Sequence, residues 1–251
     1  MWMRNSKSAA IVMLLMFLLG CIGQKESEIT EEPEITEEPE IKLEELELDR
    51  LTVESGFRVS GSGTGYAAMV SVYDEWDVND IKLGISLDPN IGGFWLRVAK
   101  DGEISDYNLG TADANYHWYK IEYDHGTVKV YIDGDLKKTV SMRLIQPSIS
   151  LHANARARGD TVNAQFREVR VDAIFPDNNE VHFKDYFDDG TIDPKWTVKN
   201  PSWMNVTEQD GVLDMSGSAE HDMWGPSGIA TFTLIQALEE QQPLSKILLL
   251  V

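Results

Sequence analysis

Cysteine is nearly absent. Cys21 is the only one in 251 residues, so no internal disulfide and no cysteine-based metal cluster can form. Basic residues are also scarce: 22 Lys and Arg stand against 42 Asp and Glu, for a formal net charge of −20. An acidic chain without a basic cluster argues against nucleic acid as a partner, because phosphates must be neutralised by Lys and Arg. No Ser-His-Asp set, Gly-rich phosphate loop or His-based metal motif is present. No convincing helical periodicity precedes the C-terminus.

What is present begins with a secretory signal. Arg4 and Lys7 form a charged start, and Ala9 to Leu19 form an apolar run followed by Gly20. Leu18-Leu19-Gly20-Cys21 resembles the lipobox of prokaryotic lipoproteins, which implies that Cys21 is lipidated and becomes the first mature residue. The run falls short of the roughly 20 apolar residues a spanning helix needs. An uncleaved anchor helix is the other reading, and both place the rest of the chain outside the cytoplasmic membrane. Residues 22–49 then read as a tether, in which Glu28-Ile29-Thr30-Glu31-Glu32-Pro33 is repeated as Glu34-Ile35-Thr36-Glu37-Glu38-Pro39. Like charges repel and prolines stiffen, so a disordered acidic spacer is expected. Its limit is roughly 90 Å at about 3.3–3.6 Å per residue.

From residue 50 to 175 nearly every segment reads as strand. His117, Tyr119, Ile121 and Tyr123 alternate with Trp118, Lys120 and Glu122 before the turn Asp124-His125-Gly126. Val128, Val130 and Ile132 repeat the period of two up to Asp133-Gly134, which makes a β-hairpin. Leu51 to Val59, Ala67 to Tyr73 and Ile81 to Leu87 read as earlier strands, and Phe166 to Val171 as a closing one. Short strands between Gly, Asn and Asp turns predict an all-β fold of two antiparallel sheets, a sandwich or jelly roll.

His117-Trp118-Tyr119-Lys120-Ile121-Glu122-Tyr123 with Val130-Tyr131-Ile132-Asp133-Gly134 resembles the "HtYaIeW … fYVDG" signature of concanavalin A-like lectin/glucanase sandwiches, glycoside hydrolase family 16 in particular. Pro147 to Asn154 resembles the strand that follows that hairpin, and Phe166 to Val171 the terminal "VDYVRV" strand. The match covers about 55 residues and implies a concanavalin A-like jelly-roll sandwich. The segment 182–234 is less regular. Phe183 to Trp196 resembles the opening of such a domain, as does Asp210-Gly211-Val212-Leu213. Either it is a truncated second copy, or it folds back to complete the first sandwich, with Phe183, Phe187, Trp196 and Leu213 packing on it. Residues 235–251 read as an irregular tail.

A retaining glycosidase needs two carboxyl groups about 5–5.5 Å apart. In family 16 they come from an E-x-D-x-x-E strand, and the nearest stretch here, Glu75-Trp76-Asp77-Val78-Asn79-Asp80, ends in the shorter Asp. It reads as a solvated loop, and no catalytic residue is assigned. Sugar binding needs aromatic faces and planar polar groups. If Phe94, Leu96 and Val98 face the core, Trp95 and Arg97 face outward. If Ile149 and Leu151 face the core, Ser150, His152 and Asn154 face outward, with Arg156 beyond them. The resemblance places the strand 147–154 on a concave ligand face. Trp95, Arg97, His152, Asn154 and Arg156 are therefore the expected ligand-binding residues, with Trp95 as the stacking platform.

No cofactor is required. A structural calcium at Asp185, Asp188, Asp189 and Asp193 is conceivable from charge, although their spacing matches no EF-hand loop. Asn205-Val206-Thr207 is a weak glycosylation sequon, and His117 reads as a packed or hydrogen-bonded histidine. The expectation is a lipid-anchored, outward-facing module that binds a glycan or cell-envelope polysaccharide without hydrolysing it. A diverged glycoside hydrolase and a purely structural envelope protein are the alternatives.

Overall fold

The computed structural model describes residues 48–75, 77–87, 92–176, 178–199, 202–222 and 231–237. The expected signal segment, Cys21 and nearly all of the acidic tether lie outside these residues, as does the end of the C-terminal tail. Among the described residues there are fifteen strands: β1 (Arg50–Ser62), β2 (Tyr66–Glu75), β3 (Asn79–Ser86), β4 (Gly93–Lys100), β5 (Glu103–Gly110), β6 (His117–Asp124), β7 (Thr127–Ile132), β8 (Asp135–Ser141), β9 (Ser148–Ala155), β10 (Thr161–Ile174), β11 (Glu180–Asp185), β12 (Thr197–Lys199), β13 (Met204–Gln209), β14 (Val212–Ser218) and β15 (Thr231–Ala237). Among the described residues no helix is long and apolar enough to cross a membrane.

The strands form two antiparallel sheets in a sandwich. The first sheet runs β13-β14-β10-β1-β6-β7-β8, with β11 also on β10, and the second runs β12-β15-β9-β2-β3-β4-β5. Local chemistry sets the hairpins. Asp101-Gly102, His125-Gly126, Asp133-Gly134 and Asp210-Gly211 each have positive φ at both residues, the two-residue turn whose twist matches the flanking strands. Phe166 to Val171 does not close the fold. It lies inside β10, whose far side pairs with β14 over Thr161–Phe166 and with β11 over Val169–Ile174. Strand order is a long-range property, so the sequence motif alone did not reveal the strands that add beyond it. The segment after residue 180 therefore contributes to both sheets, and β15, paired with β9, continues past residue 234 to Ala237.

The core lies between the sheets. Phe57 stacks on Tyr119 at 3.9 Å between centroids and tilts against Phe166 at 5.0 Å. Phe183, Phe187, Trp196, Met204, Leu213 and Met215 are buried in the same apolar cluster as residues of β1, β6 and β10. Each fully buried large side chain contributes about 1.5–3 kcal/mol. Phe187 keeps a positive φ of 55°, costly for a bulky residue, with its ring fully buried and its N–H donated to Asp185 Oδ1 at 2.9 Å.

The two sheets differ in their outer faces. β6 and β7 alternate buried and more accessible positions, as a sheet does with one face to water. In β3, β4 and β9 most residues are buried on both faces. That difference draws attention to the outer face of the second sheet.

Candidate functional site

On β4, Phe94, Leu96 and Val98 belong to the core, so alternation turns Trp95 and Arg97 to the outer face. Register extends this face across neighbouring strands. Arg97 is opposite Lys82 on β3, which is opposite Ser71 on β2, itself opposite Ser150 on β9. One step along the strands, Trp95 is opposite Gly84, Gly84 opposite Met69, and Met69 opposite His152. Gly84 is required there, since a Cβ would meet the Ala68 carbonyl oxygen at 2.1 Å. Asn154 ends the face on one side, and Asp80, beside Tyr73, on the other.

The charged groups form closed pairs. Arg97 donates Nε and Nη2 to Asp106 on β5 at 2.8 and 2.9 Å, and Trp95 Nε1 donates to the same carboxylate at 3.1 Å. Hydrogen bonding to Arg97 lowers the pKa of Asp106, against the opposing effect of burial. Lys82 Nζ lies 2.5 Å from Asp77 Oδ1 and 2.8 Å from Asp80 Oδ2. Burial raises the pKa of Asp80, and the Lys82 contact offsets only part of that. Ser150 Oγ and His152 Nε2 are 2.6 Å apart. Three polar atoms on this face, Ser71 Oγ, Asp80 Oδ1 and Asn154 Oδ1, are buried without a hydrogen-bond partner among the described residues.

The structure thus brings Trp95, Arg97, His152 and Asn154 together on one face, while Arg156 follows directly after β9 and donates its backbone N–H to Gly65. It differs from the expected open platform in one respect. Trp95 exposes only 5% of its surface and His152 none, so they form a floor. The Trp95 indole is tied by Asp106, and the Arg97 guanidinium lies 5.4 Å over its ring. The stretch read as a solvated loop also differs. Asp80 is on β3 and fully buried, while the Glu75 side chain and Trp76 lie outside the described residues. Lys82, Ser71 and Asp106 went unrecognised as site residues, although Lys82 is the polar residue between Ile81 and Leu83 in an apolar strand.

The remaining candidates sit elsewhere. His117 lies between two carboxylates, Nδ1 at 2.6 Å from Asp133 and Nε2 at 3.0 Å from Asp113, with its ring edge-on to Phe94. Asp185 accepts from Phe187 N and, at 2.8 Å, from Trp196 Nε1. Asp189 and Asp193 cap local turns through Thr191 N and Lys195 N, and Asp188 is exposed. Among the described residues no group of three or more His, Cys, Asp or Glu is arranged to hold a metal ion. Asn205 is exposed on β13.

No protein-family model matches this sequence, and no curated protein matches it. Solved structures match at low similarity. A functionally unknown protein from Saccharomyces cerevisiae has a TM-score of 0.43 at 16% identity, over 50% of this chain and 70% of its own. The catalytic domain of an endo-1,3-beta-glucanase (laminarinase) from Thermotoga petrophila RKU-1 has a TM-score of 0.33 at 13% identity, over 76% and 66%. CG-16, a homodimeric agglutinin from chicken liver, has a TM-score of 0.29 at 13% identity, over 39% and 76%. Likeness at this level carries no argument about ligand or activity.

Proposed function

We propose that the outer face of the second sheet binds an extended carbohydrate chain without cleaving it, in a module tethered to the membrane through lipid on Cys21. The observation that carries this reading is the set of three buried polar atoms left without partners on that face, Ser71 Oγ, Asp80 Oδ1 and Asn154 Oδ1. A buried unsatisfied group costs about 1–3 kcal/mol, and a native fold retains few of them. Sugar hydroxyls both donate and accept, so they suit a serine hydroxyl, a carboxylate oxygen and an amide oxygen alike. By register the three lie along the strand direction over about six residues, roughly 20 Å at about 3.4 Å per residue. A row of that length suits an extended glycan chain.

Binding without hydrolysis is favoured by Lys82. Its ammonium pairs with both Asp77 and Asp80, and Asp106 is held bidentately by Arg97, so these carboxylates are engaged by cations of the chain itself. The lipid anchor rests on Leu18-Leu19-Gly20-Cys21 alone. A glycan array probed with the full-length chain tests the reading, followed by a reducing-end assay on each bound glycan. We expect binding of at least one polysaccharide class with no release of reducing ends. An array with no bound glycan rejects the reading, and released reducing ends would make the module a hydrolase.

A further inference from the structure

Trp118 lies on the outer face of the first sheet, across the sandwich from the face just described. Tyr119, Ile121 and Tyr123 take the core positions of β6, which turns Trp118 outward. It is opposite Gly56 on β1. A Cβ built at Gly56 would sit 3.2–3.3 Å from three atoms of the indole, Cε2, Cδ2 and Cζ2. Near-equal distances to three ring atoms mean that the ring lies flat on the glycine. One face of the indole is thereby seated on backbone. Trp118 remains 39% exposed, and its indole N–H has no partner among the described residues.

Beside this ring is a rigid polar row. Tyr116 precedes β6, and the guanidinium carbons of Arg58 and Arg167 lie 4.7 and 3.8 Å from its ring centroid. Gln165 Oε1 accepts from Arg58 Nε at 2.9 Å and from Tyr116 Oη at 3.1 Å. Its amide donates to Asp214 Oδ2 at 3.0 Å. Arg58, Gln165 and Asp214 are successive register partners on β1, β10 and β14. A guanidinium stacked on an aromatic ring keeps its N–H donors in plane. Among the described residues the Arg58 Nη groups and the whole Arg167 guanidinium make no hydrogen bond.

We propose that this face is a second carbohydrate site, in which one pyranose ring of a neutral glycan stacks on the free face of Trp118. Its hydroxyls then meet the guanidiniums of Arg58 and Arg167. A pyranose has an apolar C–H face and a hydroxyl rim, and this surface offers one aromatic face bordered by planar polar groups. An apolar protein partner fits less well. Of the other exposed large apolar residues among those described, Ile104 and Val198 belong to the second sheet, Leu136 is on β8, two strands from β6, and the ring of Tyr186 is covered by the Lys184 ammonium at 4.3 Å. Phosphate-rich partners fit less well too, because Glu54, Glu122, Glu168 and Asp214 share this face with the cations. Because the Trp118 ring is already seated on Gly56, little side-chain freedom is lost on binding.

The test uses full-length protein labelled with ¹⁵N at tryptophan, titrated with hexaoses of β-1,3-glucan, β-1,4-glucan, β-1,4-mannan and chitin. We expect at least one hexaose to move the Trp118 indole N–H resonance saturably. Trp118→Ala should weaken that hexaose about tenfold or more, Trp118→Phe less, with the melting temperature within about 2 °C of the parent. The Trp95 resonance reports the other face independently. If no hexaose moves the Trp118 resonance, or Trp118→Ala binds as tightly as the parent, the second site is rejected, whatever happens at Trp95. Should the alanine variant fail to fold, the parent's own resonance and Trp118→Phe decide the matter.

Discussion

Glu208 offers a perturbation whose size can be worked from the structure. It lies on β13, 9% exposed, facing Asp189 and Asp185, and its Oε2 has no partner among the described residues. Burial, then the hydrogen bond with Asp189 and the nearby carboxylate charges, pushes its pKa from 4.5 to about 7. Between those values the folded chain holds a proton that the unfolded chain has lost. Stability therefore falls as pH rises through that window and is flat on either side. At about 1.4 kcal/mol per pKa unit, the loss is on the order of 3 kcal/mol. Glu208→Gln keeps the shape and a donor toward Asp189 but cannot ionise. It should match the parent at pH 4.5 and exceed it at pH 8 by about that amount, roughly 6–12 °C in melting temperature. Urea unfolding of both proteins at pH 4.5, 6 and 8 reads this directly. Burial also raises Asp185, whose charge acts on Glu208, so the difference between the two proteins reads this carboxylate cluster as a unit. A difference that does not change with pH would refute the reasoning.

Further expectations follow from other parts of the fold. Ser71→Ala removes a buried hydroxyl without a partner, so it should stabilise the protein by about 1 kcal/mol while weakening glycan binding, measured by thermal unfolding and titration calorimetry. Burial lowers the His117 pKa, but hydrogen bonds to Asp133 and Asp113 outweigh it, so the folded value lies above 6.5. Its contribution to stability is thus full below pH 6.5 and lost as pH rises through the folded value, and Asp113→Asn should lower the His117 pKa in an NMR titration. A chain ending at Phe175 loses Phe183, Phe187, Trp196, Leu213 and Met215 from the core, together about 7.5–15 kcal/mol and so comparable with the whole of a typical net stability of about 5–15 kcal/mol. It should be insoluble or lack a cooperative transition in circular dichroism, and a transition at the parent's midpoint would show that residues 50–175 fold alone.

The hairpins were legible because their determinants are local. Asp-Gly or His-Gly between alternating runs fixes both the turn and the register, as in β6 and β7. The facing of Trp95, Arg97, His152 and Asn154 was legible for the same reason, since alternation needs only one strand at a time. Depth was not. The floor position of Trp95 depends on Asp106 from β5 and on the side chain of Arg97, neither of which the periodicity of β4 encodes. Asp80 read as loop because Asp77, Asn79 and Asp80 are turn-formers, but pairing with Tyr73 and the ammonium of Lys82 draws it into the sheet. Trp118 was legible as an outward residue of β6. Its seat was not, because Gly56 lies sixty-two residues earlier and meets it only through the β1–β6 pairing.

The measurement that tests glycan binding on the second sheet most directly is a backbone-amide NMR titration of the full-length chain with a glycan that the array retains. Saturable shifts at Ser71, Asp80, Arg97 and Asn154, and their loss of affinity in Ser71→Ala, are the predicted result. Shifts confined to the first sheet, or no shift at any of those four residues at saturation, would contradict it.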